Sequence, residues 1–144
     1  MVALIVDVQY YPVDGKHAIK EATILPLCSN LHSHFVFCNT PRFCELAATD
    51  RKISRFINEE LGVIHHNFGV DFLQSFLDHI PYEALVLVNG HIKKRILKSL
   101  LPNNRIIDLK VPFNSLTSLR KCTFPSYHTQ CSLTNCYKIK SYLS

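Results

Sequence analysis

The chain has no window of about 20 consecutive apolar residues, so nothing in it predicts a transmembrane helix or a membrane partner. Its apolar opening, Val2 to Val6, meets Asp7 too soon for a signal-peptide core. The expectation is therefore an intracellular protein, cytoplasmic or nuclear. Glycine is scarce, four residues in all, and no glycine-rich phosphate loop occurs. There is no Ser-His-Asp order and no paired carboxylate arrangement for acid–base work; Glu59-Glu60 reads as a solvated helix face. Internal repeats, low-complexity segments and linkers are absent as well, which leaves no obvious place to divide the chain.

What is present fits one domain spanning 1–144, long enough to bury a single core. A 47% hydrophobic fraction with 10% aromatics is globular rather than disordered composition. The net charge of +5 is compatible with a nucleic-acid partner, but an excess of this size is more often a solubility margin. Six cysteines would suit a disulfide scaffold by count. Without a secretion signal, and with enough apolar residues for a core, reduced thiols are the better reading. Cys28, Cys38 and Cys44 fall in or beside apolar stretches, where a free cysteine behaves as a small buried hydrophobe. Cys122, Cys131 and Cys136 gather around His128.

Hydrophobic periodicity gives the order β-β-β-α-α-β-α-β-α. Ala3 to Tyr11 is apolar and β-branched, Pro12-Val13-Asp14-Gly15 supplies turn chemistry, and Ala18 to Leu27 reads as the returning strand. A third strand is expected at His34 to Cys38. Ile53, Phe56, Ile57 and Leu61 then mark one amphipathic helix, with Asp50 placed to cap it. Phe72, Leu73, Phe76, Leu77 and Ile80 mark another, ending before Pro81. Ala84 to Val88 is a continuous apolar run of the kind buried on both faces. Asn89-Gly90 turns it into a helix carrying Ile92, Ile96, Leu97, Leu100 and Leu101. Arg105 to Val111 is a fifth strand, and Ser132 to Leu143 a closing helix. An opening antiparallel hairpin followed by alternating helices and strands argues for an RNase H-like α/β plan with a mixed five-stranded sheet. It argues against a flavodoxin-like fold, which alternates from its start.

The same order resembles that of DEDDh-type exonucleases, whose acidic residues hold two divalent ions that activate water. Read onto this chain, Asp7-Val8-Gln9 resembles the first motif with Gln9 in place of Glu. Val88-Asn89-Gly90-His91-Ile92-Lys93 resembles the second, with Lys93 in place of Asp. Gln130-Cys131-Ser132-Leu133-Thr134-Asn135 resembles the third, with Gln130 for His and Asn135 for Asp. Of that set only Asp7 keeps its acid, and a lysine puts a cation where a cation would have to bind. The resemblance thus implies no two-metal catalysis and no Mg or Mn pair. The plainer reading of Asp7 is a polar residue ending a core strand.

The pattern also resembles the Maelstrom domain and related arthropod, mobile-element or viral proteins. The matching segments are Ile19 to Leu25, Leu61 to Gly69, Val88 to Leu97, Asn114 to Leu119 and Cys131 to Asn135. That resemblance implies a degenerate exonuclease fold with a structural zinc held by Glu21, Cys122, His128 and Cys131, a closed set of thiolate, imidazole and carboxylate. The family's histidine lies nearer the first cysteine, where this chain has Pro125. Cys136 is an alternative ligand unless it faces the core, and the plain alternative is reduced thiols beside a loop histidine. A link to RNA silencing is implied by resemblance alone.

Lys93, Lys94, Arg95 and Lys98 put four cations within two helical turns. They form a solvated face or, with Lys138 and Lys140, a phosphate-tracking stripe. Tyr127, Tyr137 and Tyr142 are the aromatic candidates beside it. His65-His66 reads as a turn near a helix end. The functional expectation is a catalytically inactive exonuclease-like domain that binds RNA or an RNA-handling protein. Its rivals are a pure protein-interaction module, such as a virus- or transposon-encoded antagonist of a host factor, and a single-strand RNA nuclease working without the acidic site. The partner and the oligomeric state are left open.

Overall fold

The computed structural model describes residues 2–13, 16–36, 73–112 and 132–144. These form β1 (Ala3–Val13), β2 (Lys16–Pro26), β3 (Ser33–Val36), α1 (Leu73–Asp78), β4 (Leu85–Val88), α2 (His91–Leu100), β5 (Arg105–Asp108) and α3 (Ser132–Leu143). The predicted helix carrying Ile53, Phe56, Ile57 and Leu61, with Asp50, Glu59, Glu60, His65 and His66, lies outside the described residues.

The strands make one five-stranded mixed sheet in the order β3-β2-β1-β4-β5. β1, β2 and β3 are antiparallel neighbours, and β4 and β5 join β1 in parallel. The opening hairpin is longer than its turn residues predict: Pro12 pairs with His17 and Val13 with Lys16. The parallel pairing of β1 with β4 ends at Ile5 and Leu87. β1 therefore runs on past β4 with one flank unpaired among the described residues, which is where a sheet tolerates proline.

A bulge between Gln9 and Tyr10 moves the register from Glu21 to Ile19, passing over Lys20. Side chains alternate faces with period two, so one extra residue reverses parity. Ile19 thereby lands on the same face as Ala22, Ile24 and Tyr10, in the core, where an unbroken register would have put Lys20.

Each face of the sheet has its own core. Leu4, Val6, Val8, Ala22, Ile24, Val86, Val88 and Ile106 pack against Phe76 and Ile80 around α1 and against Leu97 and Leu101 of α2 and its end. On the opposite face Ile5, Leu25 and Leu87 meet Leu133, Cys136, Tyr137 and Ile139 of α3. β4 thus contributes to both cores, as its continuous apolar run predicts. Burying a side chain such as Leu97 completely stabilises the fold by about 2 kcal/mol.

The turn from β4 into α2 is fixed by its polar residues. Gly90 has φ of 128°, a conformation that side chains disfavour and glycine adopts freely. The Asn89 amide donates to the Val111 carbonyl at 2.9 Å and accepts from the Val111 N–H at 2.6 Å. Asp108 accepts from the N–H groups of Gly90 and Lys110 at 2.9 and 3.0 Å. Slight burial pushes the Asp108 carboxyl up, but those two N–H groups, with the charges of Lys110 and Lys94, hold it below the usual carboxylate range.

Two cysteine expectations resolve differently. Cys136 is fully buried on α3, its Sγ 3.8 and 3.7 Å from the carbonyls of Ile5 and Thr23, so it faces the core. Cys28 is exposed rather than buried, because it sits in the turn that follows β2.

Candidate functional site

Asp7 lies within β1, which continues to Val13, so it does not end the strand as its polarity alone suggests. Ile5 of β1 points towards α3, and side chains two residues apart on a strand share a face. Asp7 and Gln9 follow on that face, and their register partners on β2 are Thr23 and Glu21. All four are buried. Here the apolar core under α3 gives way to a polar one.

The first turns of α3 cover this patch. The Ser132 hydroxyl lies 2.7 Å from that of Thr23, and the Ser132 N–H donates to Glu21 Oε1 at 2.5 Å. The Asn135 amide donates to Asp7 Oδ2 at 3.0 Å. From the opposite direction, the first turn of α2 sends Lys93 past the end of β4 to place Nζ 2.7 Å from Asp7 Oδ1. Both oxygens of Asp7 are thus engaged, one by an ammonium and one by an amide.

Burial pushes the Asp7 carboxyl above the usual carboxylate range; the Lys93 charge and the Lys93 and Asn135 hydrogen bonds oppose that push, and the nearby Glu21 charge adds to it. The Asn135 Oδ1 atom is buried with no hydrogen-bond partner among the described residues.

Three positions matched to separate exonuclease motifs, Asp7, Lys93 and Asn135, therefore converge on one point. Gln9 lies two residues further along the same face of β1, and Gln130 is outside the described residues. Hard divalent cations need several oxygen ligands. The Lys93 ammonium instead occupies one side of the only acid in the trio, and the Asn135 amide donates to the other.

Of the four residues matched to a zinc site, Cys122, His128 and Cys131 lie outside the described residues. Glu21 is buried, holds the N–H of Ser132, the residue after Cys131, and has Oε1 3.5 Å from His34 Nε2. Among the described residues, no group of three or more His, Cys, Asp and Glu side chains is placed to hold a metal ion.

The predicted basic stripe divides. Lys93 turns inward to Asp7, its side chain 15% exposed. Lys94, Arg95 and Lys98 are exposed, and with His91 and Ser99 they line an open surface depression of about 450 Å³. Lys138 is half-buried on α3. Lys140 is committed to the β2–β3 connection: its ammonium donates to the carbonyls of Pro26 and Ser29 and to Asn30 Oδ1. Of the tyrosines, Tyr142 is exposed. Tyr137 is buried, its hydroxyl donating to the Asn30 carbonyl at 3.1 Å and lying 2.8 Å from His32 Nδ1. Tyr127 is outside the described residues.

Sequence reasoning did not find the Thr23–Ser132 contact or the anchoring of Ser132 by Glu21. The alternation Glu21-Ala22-Thr23 signals a polar face, but not that a helix covers it. The chain matches no family model and no curated protein. Among the described residues no helix is long and apolar enough to cross a membrane.

Proposed function

We propose that this chain is an RNase H-like, Maelstrom-like pseudo-exonuclease domain that binds RNA and does not cleave it by a two-metal mechanism. The observation that carries the reading is the Lys93–Asp7 ion pair. An internal cation stands against the retained acid, so a divalent ion approaching Asp7 meets an ammonium at contact distance and its repulsion. The sheet order β3-β2-β1-β4-β5, with Asp7 on the central strand, supports the RNase H-like part. The exposed cations of α2 support the RNA part.

A structural zinc belongs to the same reading. Glu21, Cys122, His128 and Cys131 would hold it, tying the approach to α3 onto β2, and its contribution would be stability rather than chemistry. Native mass spectrometry with and without a chelator, beside Cys131→Ser, tests it. One zinc per folded chain, lost in the variant, supports the site, and its absence from freshly purified folded protein removes it. A role in RNA silencing inside the cell rests on the Maelstrom resemblance alone.

The deciding experiment is fluorescence anisotropy with a labelled single-stranded RNA, in EDTA and in Mg²⁺, followed by gel analysis of the same RNA. Binding that weakens with salt, is equal in both conditions and leaves the RNA intact is the expected result. Cleavage that persists in chelator and copurifies with the protein would favour a metal-independent nuclease. No RNA binding in any condition would overturn the reading in favour of a protein-interaction module.

A further inference from the structure

The outer face of α2 gathers exposed cations. His91, Lys94, Arg95, Lys98 and Ser99 recur at helical spacing, so they share one face, while Ile96 and Leu97 on the other face are buried in the core or against it. At 1.5 Å per residue the face from His91 to Lys98 runs roughly 10 Å. No acidic residue occurs between Glu83 and Asp108 in the sequence. Among the described residues, Lys94, Arg95 and Lys98 have no ion-pair partner. Asp108, whose charge interacts with Lys94, is itself held by the Gly90 and Lys110 N–H groups. Three cations on one helix face, beside a concave surface and with no ion-pair partner among the described residues, constitute a site for an external polyanion.

Its composition also limits how the anion is read. Among the described residues the lining contains no Phe, Tyr or Trp on which a base could stack, and no Asn or Gln to read an adenine edge. The Ser99 hydroxyl donates to the Ile96 carbonyl at 2.7 Å, leaving it an acceptor and not a donor towards a ligand. Positive charge is what the face offers, and charge recognises phosphate.

Resting on the proposal that the domain binds RNA, we infer that the outer face of α2, through Lys94, Arg95 and Lys98, is its docking site for the RNA phosphate backbone and does not distinguish uracil from adenine. Lys93 and Lys140 are excluded from it, being committed to Asp7 and to the β2–β3 connection.

The test is salt-dependent binding of labelled oligo-U and oligo-A RNA by the whole chain and by Lys94→Ala/Arg95→Ala/Lys98→Ala. The substitutions lie on an exposed face, and thermal melts confirm that the variant folds. Three phosphate contacts to a single strand give a log–log salt slope of about −2. The triple variant should lose about that much slope and about tenfold or more in affinity at low salt, equally for both RNAs. The charge-conserving Arg95→Lys should keep the slope. Unchanged affinity and slope in the folded triple variant would overturn the inference while leaving RNA binding itself in place. A preference of about tenfold for one homopolymer would overturn its indifference to these two bases. Failure of the unsubstituted chain to bind either RNA would instead remove the functional reading on which the inference rests.

Discussion

Lys93 and Asp7, 86 residues apart in sequence, meet at 2.7 Å between α2 and β1, and Asn135 of α3 holds the second carboxylate oxygen at 3.0 Å. Three elements thus share one buried charge, and the pair serves as an internal joint between the two faces of the sheet. Taking ions out of water is costly, so such a joint is sensitive to the loss of either member.

Lys93→Met leaves Asp7 buried without its cation. Chemical denaturation near neutral pH should show a loss of about 3 kcal/mol. Asp7 already has its carboxyl raised by burial, and removing Lys93 raises it further. A group raised on folding favours the folded state only while protonated, so the penalty should shrink as the pH falls and Asp7 takes up its proton. Asp7→Asn/Lys93→Met, which removes both charges, should recover most of the loss. An equal penalty at acid and neutral pH would contradict the ion pair.

Asp108 behaves with the opposite sign. Its carboxyl is held down by the Gly90 and Lys110 N–H groups, so its contribution is present above the ordinary carboxylate pKa and is lost as pH falls through the folded value. Asp108→Asn should cost about 1 kcal/mol at neutral pH, allowing for solvent screening, and close to nothing in strong acid. Paired denaturation curves at the two pH values check this.

Gly90→Ala should lower stability by about 1–3 kcal/mol, because φ of 128° is unfavourable to any side chain. The added Cβ would meet Lys93 Cγ and Cδ at 3.8 Å, an ordinary contact, so the cost is in the backbone. A thermal melt unchanged within error would show that the turn relaxes to another conformation.

Leu97→Ala and Lys98→Ala separate the two faces of α2. Leu97 is fully buried, and its truncation should cost about 2–5 kcal/mol. Lys98 is exposed, and its loss should change stability by no more than about 0.5 kcal/mol. Urea titrations of both variants, with similar effects at the two positions, would contradict the orientation of the helix.

The order of the described elements was legible in the sequence because it depends on local signals. Apolar and β-branched residues mark β1 and β2, the continuous run at β4 marks a strand buried on both faces, and Asn89-Gly90 marks the break into α2. Asp7, Lys93 and Asn135 could likewise be singled out one by one, but not their meeting. The direction of each cation could not: Lys93, Lys94 and Arg95 are consecutive in sequence, yet one points inward and two point out. Lys140 looked like part of a basic surface until the carbonyls of Pro26 and Ser29 were found under its ammonium.

Periodicity and turn chemistry, which act over a few residues, determined by themselves the order of the described strands and helices and the apolar surfaces that had to be buried. Only the tertiary structure decided which polar residues were buried with them. Asp7 became half of an ion pair because its strand runs on beyond the β1–β4 pairing, which ends at Ile5 and Leu87, and Lys93 of α2 reaches the carboxylate there. Ile19 faces the core because a bulge shifts the register by one residue. Both outcomes depend on which chain segment lies alongside, and a buried charge is tolerable only where a distant segment supplies its partner.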